Sequence, residues 1–95
     1  MNGSRQKSII PQIEGECFIC HGRADHIHHC WHGTSNRKNA DADGLTVSLC
    51  EECHRLLHDQ GRYDVLLQQI AEAHWMIEYG ADKDDFIKRY GKSRL

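Results

Sequence analysis

The sequence has no run of apolar residues approaching the roughly 18 needed for a membrane-spanning helix, so no span is expected. Its opening stretch, MNGSRQKS, lacks the apolar centre of a secretory signal, and a soluble, cytoplasmic chain is expected. Proline occurs once, and aromatic residues make up only 7% of the 95 positions. A chain this short hides only about 60–65% of the surface its unfolded form exposes, so a core made by burial alone should be thin. Neither sign of charge dominates: 12 Lys and Arg against 14 Asp and Glu leave a formal −2, without the basic excess that phosphate binding usually requires. With 39% hydrophobic and 27% charged residues, the chain is too apolar for a disordered tail and too polar for an oily bundle. Internal repeats and low-complexity segments are absent.

Five cysteines and eight histidines are what the sequence has in excess. Small domains with thin cores are commonly stapled by a metal or by disulfides. An odd cysteine count without an export signal argues for metal. Bound divalent cations also reset the local field, so the net charge does not decide the partner.

Residues 1–14 carry Gly3, Ser4, Arg5, Lys7 and Ser8, show no periodicity, and read as a flexible arm. Glu16–Ile19 and Ala24–Trp31, separated by a segment containing Gly22, suit a β-hairpin. The polar stretch GTSNRKNADADG, residues 33–44, predicts an exposed loop. Leu45–Leu49 alternates with period two, as a half-buried strand does. Glu51 and Glu52 favour a helix start, and Gly61 a helix end, predicting a helix over 50–60. From Arg62 the period becomes 3.6, and Tyr63, Leu66, Leu67, Ile70, His74 and Ile77 form the expected apolar stripe of a helix closing before Gly80. Val65, Trp75, Met76 and Tyr79 lie toward its other side, which permits a homodimer without requiring one. Asp82 can cap a last helix that has Asp84 and Asp85 in its first turn and Lys88 and Arg89 near its end.

Cys17-Phe-Ile-Cys20 and Cys50-Glu-Glu-Cys53 are two C-x-x-C knuckles. Zinc takes four thiolates at about 2.3 Å in a closed tetrahedron, so the two knuckles together predict a structural Zn²⁺ with no open position. A thioredoxin-like dithiol would leave the second pair unexplained. Cys30, the odd one, reads as a small buried hydrophobe.

His54 and His58, one helical turn apart, share a face and suit one metal. In a strand neighbouring side chains point to opposite faces, so one of His28 and His29 can join that metal while the other points away. His21 and His32 read as ordinary surface residues, and His74 as a core histidine. A classical zinc finger is excluded because Cys53 and His54 are adjacent.

The succession C-x-x-C, His28-His29, a polar stretch, then Leu49-Cys50-x-x-Cys53-His54-x-x-x-His58 resembles the HNH (ββα-metal) endonucleases, particularly small zinc-containing members encoded by phages and prophages. The resemblance covers residues 16–95 and implies an α+β fold: a zinc-bound ββα-metal core over residues 15–61 and a C-terminal helical extension over 62–95 packed on it. Carried over residue by residue, His29 matches the general base, and His28, His54 and His58 match the metal-binding histidines of the colicin-type variant. Asp25-His26-Ile27 imitates an alternative register in which Asp25 is a ligand and His26 the base. Asp43-Gly44-Leu45 stands where the family's middle asparagine usually lies, while Asn36 and Asn39 come earlier.

The resemblance implies a metal-dependent DNA endonuclease with a catalytic Mg²⁺, Mn²⁺, Ni²⁺ or Zn²⁺ beside the structural zinc. Arg37 and Lys38, with Arg5 and Lys7, are candidate phosphate contacts. The expected partners are DNA and phage recombination or packaging proteins, in the cytoplasm of a bacterial host. Two other readings stand beside it: a non-catalytic zinc module that binds nucleic acid or protein, and a dimeric resolvase of branched DNA.

Overall fold

A computed structural model describes residues 7–95. The fold is α+β, with a two-stranded antiparallel sheet and four helices. In chain order the elements are β1 (His26–His29), α1 (Thr34–Asp43), β2 (Thr46–Leu49), α2 (Glu51–Gln60), α3 (Asp64–Tyr79) and α4 (Lys83–Tyr90).

The sheet differs from the predicted hairpin. Glu16 and Arg23 make only an isolated bridge, and β1 pairs instead with β2, His28 opposite Val47 and His29 opposite Thr46. Leu45, Val47 and Leu49 are the apolar residues of the β2 region, and all three are buried. They give this segment a core to lie against, which the Glu16–Ile19 stretch offers less of.

The predicted 33–44 loop is a helix, α1. Its composition shows no apolar stripe, so periodicity could not reveal it. Tertiary contacts hold it instead. Asn36 donates to the Tyr90 carbonyl at 3.2 Å and Asn39 to the Arg89 carbonyl at 3.0 Å, fastening α1 to α4. Gly44 ends the helix at φ 81°, a left-handed conformation that suits glycine. A Cβ there would also lie 2.6 Å from the Lys7 carbonyl oxygen, so the residue must be small as well as permissive.

That close approach comes from residues 7–12, which run beside β2 and are no free arm. Ile9 N–H donates to the Gly44 carbonyl at 2.9 Å, and Ile10 is buried. Gln12 donates to the Thr46 carbonyl at 3.1 Å and accepts from Ser48 N–H at 2.9 Å. Residues 1–6 of the predicted arm, which include Arg5, lie outside the described residues.

The helix boundaries after β2 follow their caps. Cys50 precedes α2 and its Sγ accepts from Cys53 N–H; Gly61 closes the helix in the left-handed region. Asp82 and Asp85 form a reciprocal capping box at the start of α4. The buried face of α3 is not the predicted stripe. Leu67, Gln68, Ala71, Glu72 and Trp75 face inward, whereas Leu66 and Ile77 are 51% and 77% exposed. Two polar residues can be buried because the last residues satisfy them: Glu72 accepts from Ser93 Oγ at 2.5 Å and Arg94 N–H at 2.8 Å, and Gln68 accepts from Arg94 Nε at 2.9 Å. Trp75, expected on an outer apolar side, belongs to the core. It packs edge-on against Phe86 at 5.2 Å, and Phe86 also meets Trp31 at 4.9 Å. Cys30 is fully buried beside them, as expected of a small hydrophobe.

Candidate metal centres and the histidine cleft

Local sequence builds the first site. Each C-x-x-C turn aims backbone N–H groups at its own sulfur: Cys20 N–H at Cys17 Sγ (3.5 Å), Gly22 N–H at Cys20 Sγ (3.4 Å) and Cys53 N–H at Cys50 Sγ (3.3 Å). The bridge before β1 and the first turn of α2 bring the knuckles together, with the sulfurs of Cys17, Cys20, Cys50 and Cys53 all within 4.8 Å of one another. Burial raises the Cys17 thiol, but backbone hydrogen bonds from Cys20, Cys50 and Ile19 outweigh it and bring it down to about 6. Burial and the neighbouring thiols push Cys53 up. One thiolate is therefore favoured, and four together need a cation among them. The donor set and its closeness fit a structural metal such as zinc, and four sulfurs leave no ligand position open.

The second group begins at the next residue of α2. His54 and His58 approach at 3.1 Å between their Nε2 atoms. His28 reaches them from β1, with ring centroids 5.6 Å and 5.7 Å away, and one ring nitrogen from each of the three falls within 4.8 Å of the others. His28 is buried and its Nε2 has no hydrogen-bond partner. An orphaned nitrogen in a buried ring carries a desolvation cost that an electron-pair acceptor would offset. Burial first, then His32, His54 and His58, lowers His28 to about 4, and burial with His58 and His26 lowers His54. Both shifts favour the neutral ring, the form that ligates a metal. Three imidazoles with ring nitrogens this close fit a divalent cation with positions left for other ligands.

These rings open on a cleft of about 520 Å³ whose wall also includes His29, Trp31, His32, Gly33 and Arg37. His29 leans away from the trio toward α1, where its Nε2 lies 2.7 Å from Asp41 Oδ1. Arg37 stands one turn before Asp41 on the same helix, so the segment read as a loop supplies both a guanidinium on the cleft wall and the carboxylate that meets His29. Lys38 is exposed and stands outside the cleft lining, and Lys7 lines a different groove along β2.

The alternative pair is placed otherwise. Asp25 accepts from Glu51 N–H at 3.2 Å, at the start of α2. His26 bonds Glu51 Oε1 at 2.5 Å and stacks on His54 at 4.7 Å, so it buttresses a cluster histidine. Neither Asp25 nor His26 belongs to a cluster of metal-competent donors among the described residues. His21 is an exposed residue paired with Glu16 at 3.3 Å, and His74 is half-buried.

Sequence reasoning missed His32 and Asp64. His32 Nε2 lies 2.7 Å from Asp64 Oδ1, its ring is 5.6 Å from His28, and His28, His32 and Asp64 form a third set of donors within 4.8 Å of one another. Three histidines within His28-His29-Cys30-Trp31-His32 were a visible signal. The carboxylate partner, far along the chain, was not.

Compared with known proteins, the chain matches no protein-family model, no curated protein and no solved structure. Fold and site together define a small α+β chain with a four-cysteine cluster suited to zinc beside an open, histidine-walled cleft. Among the described residues, no helix is long and apolar enough to cross a membrane.

Proposed function

We propose that this chain is a metal-dependent DNA endonuclease of the HNH, ββα-metal type, encoded by a phage or prophage and acting in the cytoplasm of its bacterial host. The observation that carries the reading is the convergence of His28, His54 and His58 on one point, with His29 in the same cleft. The order β1, β2, α2 supplies the two strands and one helix of such a core, and α1 is an insertion between the strands.

Hydrolysis of a phosphodiester requires a deprotonated water and relief of charge on the phosphate and the departing 3′ oxygen. His28, His54 and His58 would hold a divalent cation, which would supply Lewis-acid stabilisation of that charge. His29 is the general base: Asp41 holds its Nε2, which leaves Nδ1 to take a proton from the attacking water. Arg37, on the cleft wall, is positioned for a phosphate oxygen, a contact that fixes register without reading sequence. The four-cysteine site beside α2 keeps His54 and His58 in place as a rigid base.

A plasmid assay tests the proposal. Purified protein should convert supercoiled DNA to relaxed or linear product with at least one of Mg²⁺, Mn²⁺, Ni²⁺ or Co²⁺. His29→Ala should remove cleavage by about 10²-fold or more while keeping the bound zinc. Intact plasmid across the whole metal series would leave the non-catalytic zinc module as the better reading. Metal counting separates the two independently: a module needs one tight zinc per chain, whereas the nuclease needs a second, exchangeable ion.

A further inference from the structure

His28 lies between two sets of donors, His54 and His58 on α2 and, on the other, His32 before α1 and Asp64 at the start of α3. We infer that the cleft ion has two alternative seats sharing His28, one made of three imidazoles and one of His28, His32 and Asp64, and that harder divalent ions take the second. This rests on the assignment of His28 to a cleft cation made above, but not on cleavage of any substrate.

The donors of the mixed set meet the same closeness as those of the imidazole set, all within 4.8 Å. Two of these donors, His32 and Asp64, stand together, with Nε2 2.7 Å from Oδ1. A neutral imidazole has one N–H and one lone pair, so His28 serves one ion at a time and the seats exclude each other. His28 is the residue both seats share, and its Nε2 is buried without a hydrogen-bond partner. Ligand softness then separates them. Three imidazoles suit Ni²⁺ and Zn²⁺, whereas a carboxylate suits Mn²⁺ and Mg²⁺. Asp64 brings the negative charge that the imidazole seat lacks, with its side chain 27% exposed and so only partly hydrated.

The test titrates Mn²⁺, followed by its paramagnetic resonance signal, and Ni²⁺, followed by calorimetry, into the zinc-loaded full chain without nucleic acid. Asp64→Asn should weaken Mn²⁺ roughly tenfold or more and leave Ni²⁺ within about twofold; His54→Ala should do the reverse. His32→Ala repeats the Asp64 comparison through a second ligand should Asp64→Asn fail to retain zinc. Equal loss of both ions in each variant, or Mn²⁺ binding indifferent to Asp64 and His32, overturns the two-seat arrangement. A chain that cuts plasmid with no Asp64 dependence in Mn²⁺ binding sinks this inference alone. One that binds Mn²⁺ through Asp64 yet cuts nothing sinks the nuclease reading alone.

Discussion

Asp43 and Arg89 form a two-point ion pair that locks the end of α1 to α4, with Nε to Oδ2 at 2.6 Å and Nη2 to Oδ1 at 2.9 Å. The same carboxylate accepts from Trp75 Nε1 at 2.9 Å and Tyr90 Oη at 2.8 Å. Through these bonds Asp43, at the end of α1, joins three helices.

Replacing this carboxylate should be costly. Asp43→Ala leaves the Trp75 and Tyr90 donors and a partly buried guanidinium without their acceptor, and breaking one side of a buried charge pair typically costs about 3–5 kcal/mol. Because the Arg89 side chain is 38% exposed, water recovers part of that, and about 2–3 kcal/mol is expected. Urea unfolding followed at constant m-value measures it. A loss under about 1 kcal/mol would mean the helices are held mainly by the aromatic contacts.

The four-cysteine cluster predicts metal-dependent folding. Structural zinc contributes an apparent 10–16 kcal/mol in small domains, about as much as the whole stability of an ordinary one. Cys53→Ser, or treatment with a strong chelator, should therefore abolish the cooperative unfolding transition, and zinc content should fall from one tightly held ion per chain. Circular dichroism unchanged after complete zinc removal contradicts the assignment.

The start of α4 should respond to acid. Hydrogen bonding from Asp85 N–H lowers the Asp82 carboxyl below its ordinary 3.8. A group whose folded value is depressed stabilises the fold above the unfolded value and loses that contribution as pH falls through the folded one. The Asp85 amide should be protected from hydrogen exchange well above pH 3.8 and lose protection well below it. Asp82→Asn should remove most of that pH dependence. Equal protection at both extremes, in a chain still folded, would show that the cap does not hold the helix end.

Where local chemistry decides, the sequence was readable. Cys50, Glu51 and Gly61 bound α2, Asp82 and Asp85 start α4, and the spacing within each C-x-x-C makes the cysteine cluster plain. The His54 and His58 pair was legible for the same reason, since helical period sets it. What escaped depends on distant partners. Helix α1 has no apolar stripe and holds through Asn36, Asn39 and Asp43 reaching α4. The buried face of α3 includes Gln68 and Glu72, which hydrophobic patterning assigns to solvent, because Ser93 and Arg94 return to bond them. Asp64 was hidden likewise, as nothing near it in sequence announces His32.

The segment before the first knuckle has a further effect through its bonds to β2. Thr46 and Ser48 present carbonyl and amide groups away from β1, and Ser8, Gln12 and Phe18 occupy the Thr46 oxygen, the Ser48 N–H and the Ser48 oxygen. An unprotected outer strand is a template on which another chain can add itself. Here that template is already filled from within, which guards a very short sheet against aggregation at high concentration.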